Sequence, residues 1–226
     1  MFSMRVAVLV SGGKDSALAL HHALKDRHEV VCLASVIPLR EDSWMFHYPN
    51  IRLVDLFSEA VGIPLAKTES SGVKEEEVQD LKNLIQRLNV DGIVTGAIAS
   101  TYQKTRIDAV CEQLGLKPLA PLWHRDPLSI LQEVVNLNFN AIITGVYAYG
   151  FTREWLGKRI TSDTIEALEK LNRQYGVSLV GEGGEYETLV LDGPIFTKRI
   201  RIVDAETAWK SQSGSFLVKK AVLETK

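Results

Sequence analysis

Apolar and polar positions along this chain fall into two rhythms. Residues 5–10, Arg-Val-Ala-Val-Leu-Val, form a near-continuous apolar run, the pattern of a strand buried on both faces, and residues 17–24 switch to the spacing of an amphipathic helix. A second buried strand is predicted over 30–37. The helix after it carries Leu53, Leu56, Phe57 and Ala60 on one face and stops at Gly62-Ile63-Pro64. A weaker strand is predicted over 64–68. The helix over 74–88 lines up Val78, Leu81, Leu84, Ile85 and Leu88 and sets Glu75, Glu76 and Glu77 against the positive end of its dipole. A fourth strand falls at 92–95, and Ile107, Val110, Cys111 and Leu114 define another helix. Residues 118–122 then return to the sheet. Strands alternating with helices in this way pair in parallel through right-handed crossovers. The expected fold class is α/β, a doubly wound parallel sheet reaching to about Trp123.

Beyond that point the rhythm changes. Helices are predicted around 127–137 and 162–175, with a short strand at 141–144 between them. The chain then turns β-rich over 188–191, 195–203 and 215–223, with turns expected at Asp192-Gly193-Pro194 and Ser213-Gly214-Ser215. The reading is two domains, a nucleotide-type α/β domain over 1–124 and a smaller mixed α+β domain over 125–226. No low-complexity linker separates them, so tight packing is expected.

Composition narrows the function classes. The chain has 226 residues, 46% hydrophobic, enough for a substantial core. Its net charge of -2, with Lys and Arg scattered among acids, lacks the footprint of a dedicated nucleic-acid binder. No apolar stretch approaches the ~20 residues that cross a bilayer, and residues 1–5 do not resemble a secretory signal, so a cytoplasmic location without membrane contact is expected. Cys32 and Cys111 each sit in an apolar pattern and read as buried thiols. Without a CxxC pair, sulfur transfer and cysteine-ligated zinc are disfavoured.

The chemistry concentrates where the first strand breaks into Ser11-Gly12-Gly13-Lys14-Asp15-Ser16 before the helix. Two glycines let the backbone turn and approach a ligand closely, so that amide N–H groups converge on an anion beside the positive helix end. Lys14 contributes a mobile ammonium, and Ser16 either caps the helix or donates to a phosphate oxygen. A Walker A loop would need glycine at position 8 and Ser or Thr at 15, where Val8 and Asp15 stand. The spaced glycines of the dinucleotide fingerprint are missing as well.

Open α/β sheets bind ligands beyond the carboxyl ends of their strands. Three further segments hold such places. Gly96-Ala97-Ile98-Ala99-Ser100-Thr101-Tyr102-Gln103 combines small residues with polar ones at a helix start, a pattern for nucleotide contact or for an ordinary turn. The segment 44–50, with Trp44, Phe46, His47 and Tyr48, suits adenine stacking and a core-covering loop equally. The aromatics of 145–151 suit an acceptor pocket or an interdomain core. Separately, Glu182-Gly183-Gly184-Glu185-Tyr186-Glu187-Thr188 puts three carboxylates among glycines just ahead of a strand.

The loop at 11–16 resembles the SGGxDS loop of the PP-loop ATP pyrophosphatases. Taken with the acidic 182–188 motif, the 45–50 segment and Gly96–Ser100, the chain is similar over nearly its whole length to the diphthine–ammonia ligase family, N-type members of that group. The resemblance implies ATP activation of the carboxylate of diphthine, a modified histidine on elongation factor 2. Ammonium then displaces AMP to give diphthamide. ATP and Mg²⁺ are the implied cofactors, with Lys14 and Asp15 in catalytic roles and Asp15 orienting Mg²⁺ directly or through water. Nucleotide contacts are carried over to Ser11, Gly12, Gly13, Lys14, Asp15, Ser16, His47, Gly96, Ala97, Ser100 and Tyr102. Acceptor contacts are carried over to Glu182, Gly183, Gly184, Glu185, Tyr186, Glu187 and Thr188, whose charges and ring suit a trimethylammonium. Free ammonium is expected as the nitrogen donor, since glutamine-using relatives carry an amidotransferase domain with a catalytic cysteine. A homo-oligomer is left open. A tRNA-modifying ligase would share the adenylation step but calls for a basic groove or cysteine chemistry. A non-catalytic ATP-binding domain would share the fold without needing Lys14 and Asp15.

Overall fold

The computed structural model describes residues 3–39, 50–71 and 74–226. The segment 44–49 with His47 lies outside the described residues. The first half runs β1 (Arg5–Leu9), α1 (Lys14–Lys25), β2 (Glu29–Pro38), α2 (Val54–Val61), β3 (Leu65–Ser70), α3 (Lys74–Ile85), β4 (Gly92–Val94), α4 (Thr101–Leu114) and β5 (Lys117–Leu119). The strands pair in parallel in the order β3-β2-β1-β4-β5. This is the doubly wound sheet that the alternation of strands and helices predicts.

Side-chain alternation explains the layers. Val6, Val8 and Val10 point to the face covered by α1 and α2, while Ala7, Cys32, Val36 and Ile93 point to the face covered by α3 and α4. The helix ends follow local chemistry. Ser100 caps α4 by accepting from the Gln103 amide, and Gly115 closes it in the left-handed region. Asp126 likewise accepts from the Ser129 amide at 2.7 Å ahead of a proline-led helix.

The second half comprises α5 (Pro127–Asn136), β6 (Asn140–Val146), α6 (Ser162–Tyr175), β7 (Tyr186–Asp192), β8 (Lys198–Lys210) and β9 (Ser213–Thr225). Its antiparallel sheet has the order β7-β6-β9-β8. One apolar cluster runs from β1 and α1 through α5 and β6 to Ile200 and Val218, so the two sheets share a core. Backbone and side chains reinforce this junction. The Val190 amide donates to the Gly12 carbonyl at 2.8 Å, and the Thr197 amide to the Ala60 carbonyl at 2.7 Å. Asn50 both donates to the Phe216 carbonyl at 2.9 Å and accepts from the Val218 amide at 3.0 Å.

Two expectations need correction. Ser213-Gly214-Ser215 is not a turn: the reversal occurs at Ser211 and Gln212, with Ser211 at φ 57°, and β9 already begins at Ser213. Gly214 lies opposite Trp209, whose ring would sit 2.6 Å from a Cβ there, so the glycine serves close cross-strand approach. The β8–β9 ribbon is also far longer than the apolar patterns at 195–203 and 215–223. The register shift between Ile202, Asp204 and Ala205 breaks the alternation and masks the continuing strand.

Candidate functional site

The loop between β1 and α1 is built as a phosphate loop demands. Gly12 sits at φ +83°, where a side chain is strained, and Gly13 is the extended N-cap of α1. Two hydroxyls, those of Ser16 and Thr188, hold the turn. The Ser11 amide donates to Ser16 Oγ at 3.3 Å, Ser16 Oγ donates to the Gly13 carbonyl at 3.0 Å, and the Lys14 amide donates to Thr188 Oγ1 at 3.0 Å. Gly96, at the end of β4, lets this loop pass. A Cβ on Gly96 would lie 2.7 Å from the Asp15 carbonyl carbon and 2.8 Å from both its oxygen and the Ser16 nitrogen.

Lys14 does not carry the mobile ammonium expected of it. It is 3% exposed, its Nζ donates to the Val180 carbonyl at 2.6 Å and to Asp15 Oδ2 at 2.9 Å, and it lies 5.1 Å from the Tyr186 ring centroid. The first half alone offers no such enclosure; the acidic loop supplies it. Burial by itself pulls the Lys14 pKa down. The Asp15 carboxylate foremost, with Glu182 contributing less, outweighs that pull and raises it above the ordinary lysine value, so the group is a full cation at neutral pH. Burial also pushes the Tyr186 phenol up to about 12, against the opposing influence of Lys14, and its neutral hydroxyl donates to the Leu179 carbonyl at 2.6 Å.

The acidic segment forms a turn-rich bridge between α6 and β7. Glu185 accepts from the Ser178 amide at 3.2 Å and from the Gly183 amide at 2.9 Å, so its carboxylate shapes the loop. Glu182 reaches to the other half, where its Oε1 accepts from the amides of Ile98, Ala99 and Ser100. Together these elements enclose a cavity of about 370 Å³, within the range of small-molecule sites. Ser11, Gly13, Lys14, Asp15, Ser16, Gly96, Ala97, Ser100, Glu182, Gly183, Gly184, Tyr186, Glu187 and Thr188 line it. Gly12 and Glu185 are not among the lining residues. Tyr102 is not among the lining residues; it packs against the Arg106 guanidinium, 3.6 Å from its ring centroid, and Gln103 takes the lining position instead.

Beyond the phosphate loop the cavity continues between Leu9, Ala34, Val36, Leu81 and Ile107. These apolar side chains sit on the α3–α4 side of the sheet and make a slot suited to a flat base. Sequence reasoning passed over them because a pocket-lining aliphatic and a core aliphatic have the same pattern. Tyr147 and Tyr149 are exposed, while Phe151 is buried, so the 145–151 segment divides between surface and core. The Tyr147 amide donates to the Glu185 carbonyl at 2.8 Å, which sets this segment beside the acidic loop.

A magnesium ion fits this donor set in one way. Among the described residues no cluster of three His, Cys, Asp or Glu is arranged to hold a metal. Mg²⁺ is commonly held by one or two carboxylates plus substrate phosphates and waters, and Asp15, 29% exposed on the cavity wall, provides such a carboxylate. Both cysteines are buried, and burial raises each thiol, that of Cys111 to about 11. Neither is poised as a nucleophile.

Comparison with known proteins gives a consistent result. The diphthamide synthase N-terminal domain model matches residues 4–118, and the diphthamide synthase C-terminal domain model matches 126–223. A diphthine–ammonia ligase from Danio rerio is 38% identical over 93% of this chain and 91% of that protein. Another from Schizosaccharomyces pombe is 38% identical over 99% of this chain, which spans 40% of that relative's length. Among solved structures, a predicted subunit of tRNA methyltransferase from Methanocaldococcus jannaschii overlays 84% of this chain and 98% of its own at 14% identity, with a TM-score of 0.46.

Proposed function

The chain belongs to the diphthamide synthase family, and on that premise we propose that it is an ATP-dependent ligase that amidates diphthine on elongation factor 2 with ammonium. The observation that carries this reading is the junction itself. A phosphate loop from one half and a carboxylate-rich loop from the other close on a single cavity, with a buried full cation, Lys14, where they meet.

The proposed reaction has two steps. A carboxylate oxygen of diphthine attacks the α-phosphorus of ATP in line, the bond from the α-phosphorus to the bridging oxygen breaks, and pyrophosphate leaves with that electron pair. Ammonia then adds to the acyl carbon of the resulting adenylate, loses a proton to solvent, and expels AMP. No side-chain nucleophile is required, so the protein contributes positioning and charge stabilisation. The loop at 11–16 and Lys14 would hold the outer phosphates. The aliphatic slot of Leu9, Val36, Leu81 and Ile107 would take the base. Mg²⁺, held by Asp15 and the phosphates, would neutralise charge on the departing pyrophosphate. The acceptor would enter along 183–188, where Glu187 lines the cavity and offers negative charge to the trimethylammonium. Free ammonium is the proposed nitrogen source because both cysteines are buried with raised pKa values, unlike the thiol a glutaminase uses.

A direct test combines the protein with ATP, Mg²⁺ and elongation factor 2 bearing diphthine. AMP and pyrophosphate should form in equal amounts with ammonium, with glutamine giving no amide when ammonium is excluded. The reading fails if tRNA supports AMP formation in place of the diphthine-bearing factor. It also fails if the products are ADP and inorganic phosphate.

A further inference from the structure

One carboxylate of the cavity wall, that of Glu182, is already engaged by the protein's own backbone. Glu182 Oε1 accepts from three consecutive amides in the turn that leads into α4, those of Ile98 at 3.2 Å, Ala99 at 2.7 Å and the N-cap Ser100 at 2.6 Å. These belong to the first half, whereas the segment that carries Glu182 belongs to the second. Successive amides that converge in a turn form a concavity for an anion, and this one lies just ahead of the positive end of α4, so a carboxylate is favoured there. The same segment is also held by Lys14 Nζ on the Val180 carbonyl and by the Thr188 hydroxyl, which accepts from the Lys14 amide. The acidic loop is therefore fastened to the first half at Val180, Glu182 and Thr188.

We propose that Glu182 is a positioning residue. Its carboxylate oxygen works as a hydrogen-bond acceptor that seats the acidic loop on the amides of 98–100, and so sets Glu187 and Tyr186 against the phosphate loop. Recognition of the acceptor's cation falls to the other carboxylate on the wall, Glu187. This inference rests on the amidation reading for its kinetic consequence but not for its structural one.

The chemistry supplies a separating variant. A glutamine side chain has the same length and presents a carbonyl oxygen to the same three amides, losing the charge and keeping the acceptor. Alanine loses both. Glu182→Ala is expected to raise the KM for diphthine-bearing factor by roughly ten- to a hundred-fold, the scale of losing charge-assisted hydrogen bonds, with a smaller change in the KM for ATP. Glu182→Gln should restore most of that loss, and Glu187→Gln should not. Amide hydrogen exchange, which needs no acceptor, reads the structural part. Exchange at 98–100 should be slow in the unsubstituted protein and in Glu182→Gln, and fast in Glu182→Ala. Equal damage from glutamine and alanine on acceptor KM would overturn the proposal and assign Glu182 to cation recognition, and so would unchanged exchange at 98–100 in Glu182→Ala. If the unsubstituted protein failed to amidate the factor, the function reading would fall, while the exchange result would still decide the seat.

Discussion

Lys14→Met is expected to reduce pyrophosphate release by about 10²–10³-fold, the scale of removing one preorganised charge from a phosphoryl-transfer site. Methionine fills much of the volume of the buried stem but deletes its hydrogen bonds to the Val180 carbonyl and Asp15, so thermal unfolding should shift down by the equivalent of about 1–3 kcal/mol while turnover collapses. The basis is geometric. Lys14 is enclosed by the Val180 carbonyl, the Asp15 carboxylate and the Tyr186 ring, and its pKa stands above the ordinary lysine value despite burial. A permanently charged ammonium in a water-poor wall stabilises developing charge more strongly than an exposed one. Arginine should not rescue it, because a planar fork cannot replace a point charge in that enclosure. Stopped-flow or coupled measurement of pyrophosphate checks this directly. Retention of turnover within a few-fold would remove Lys14 from the chemistry.

Gly96→Ala is expected to abolish measurable ATP affinity at ordinary concentrations and to destabilise the fold by about 1–3 kcal/mol, the cost of overpacking. The added Cβ would meet backbone, not a movable side chain: the Asp15 carbonyl carbon at 2.7 Å, its oxygen at 2.8 Å and the Ser16 nitrogen at 2.8 Å. Relief requires displacing the phosphate loop itself. Gly62→Ala provides the contrast. Gly62 sits at φ +73° with nothing within 4 Å of its Cβ position, so it should cost about 1–2 kcal/mol of left-handed strain and leave nucleotide affinity unchanged. Calorimetric titration with ATP and thermal unfolding of both variants separate loop displacement from general strain. Equal ATP affinity in Gly96→Ala and the unsubstituted protein would contradict the close approach.

What was legible in the sequence was contiguous. The strand–loop–helix around Ser11–Ser16 reads from local pattern alone, because glycines, a cation and a helix start lie within a few residues of each other. The parallel sheet follows from the alternation of strands and helices. The acidic motif was visible for the same reason, but its internal division of labour was not. That Glu182 spans to the amides of 98–100 and that Tyr186 lies over Lys14 are contacts between segments far apart in the chain, set by how the two halves pack, and that Glu185 folds back on Ser178 and Gly183 is decided by the local path of an irregular loop that no periodicity encodes. The aliphatic slot was hidden because Leu9, Val36, Leu81 and Ile107 obey the same periodicity as core residues. The β8–β9 ribbon was underestimated because exposed charges such as Arg199, Arg201 and Glu206 alternate with its apolar positions and a bulge interrupts the period near Asp204. Tyr102 shows a contact that local pattern does not reveal: a polar aromatic at a helix start stacks with the Arg106 guanidinium four residues on, and Gln103 beside it lines the cavity.

The measurement that tests the central claim most directly follows an oxygen atom. Diphthine-bearing elongation factor 2 is prepared with ¹⁸O in the diphthine carboxylate and carried through turnover with ATP, Mg²⁺ and ammonium. Attack of that carboxylate on the α-phosphorus predicts one ¹⁸O in the AMP released and none in pyrophosphate. Label in inorganic phosphate accompanied by ADP, or AMP free of label, would contradict it.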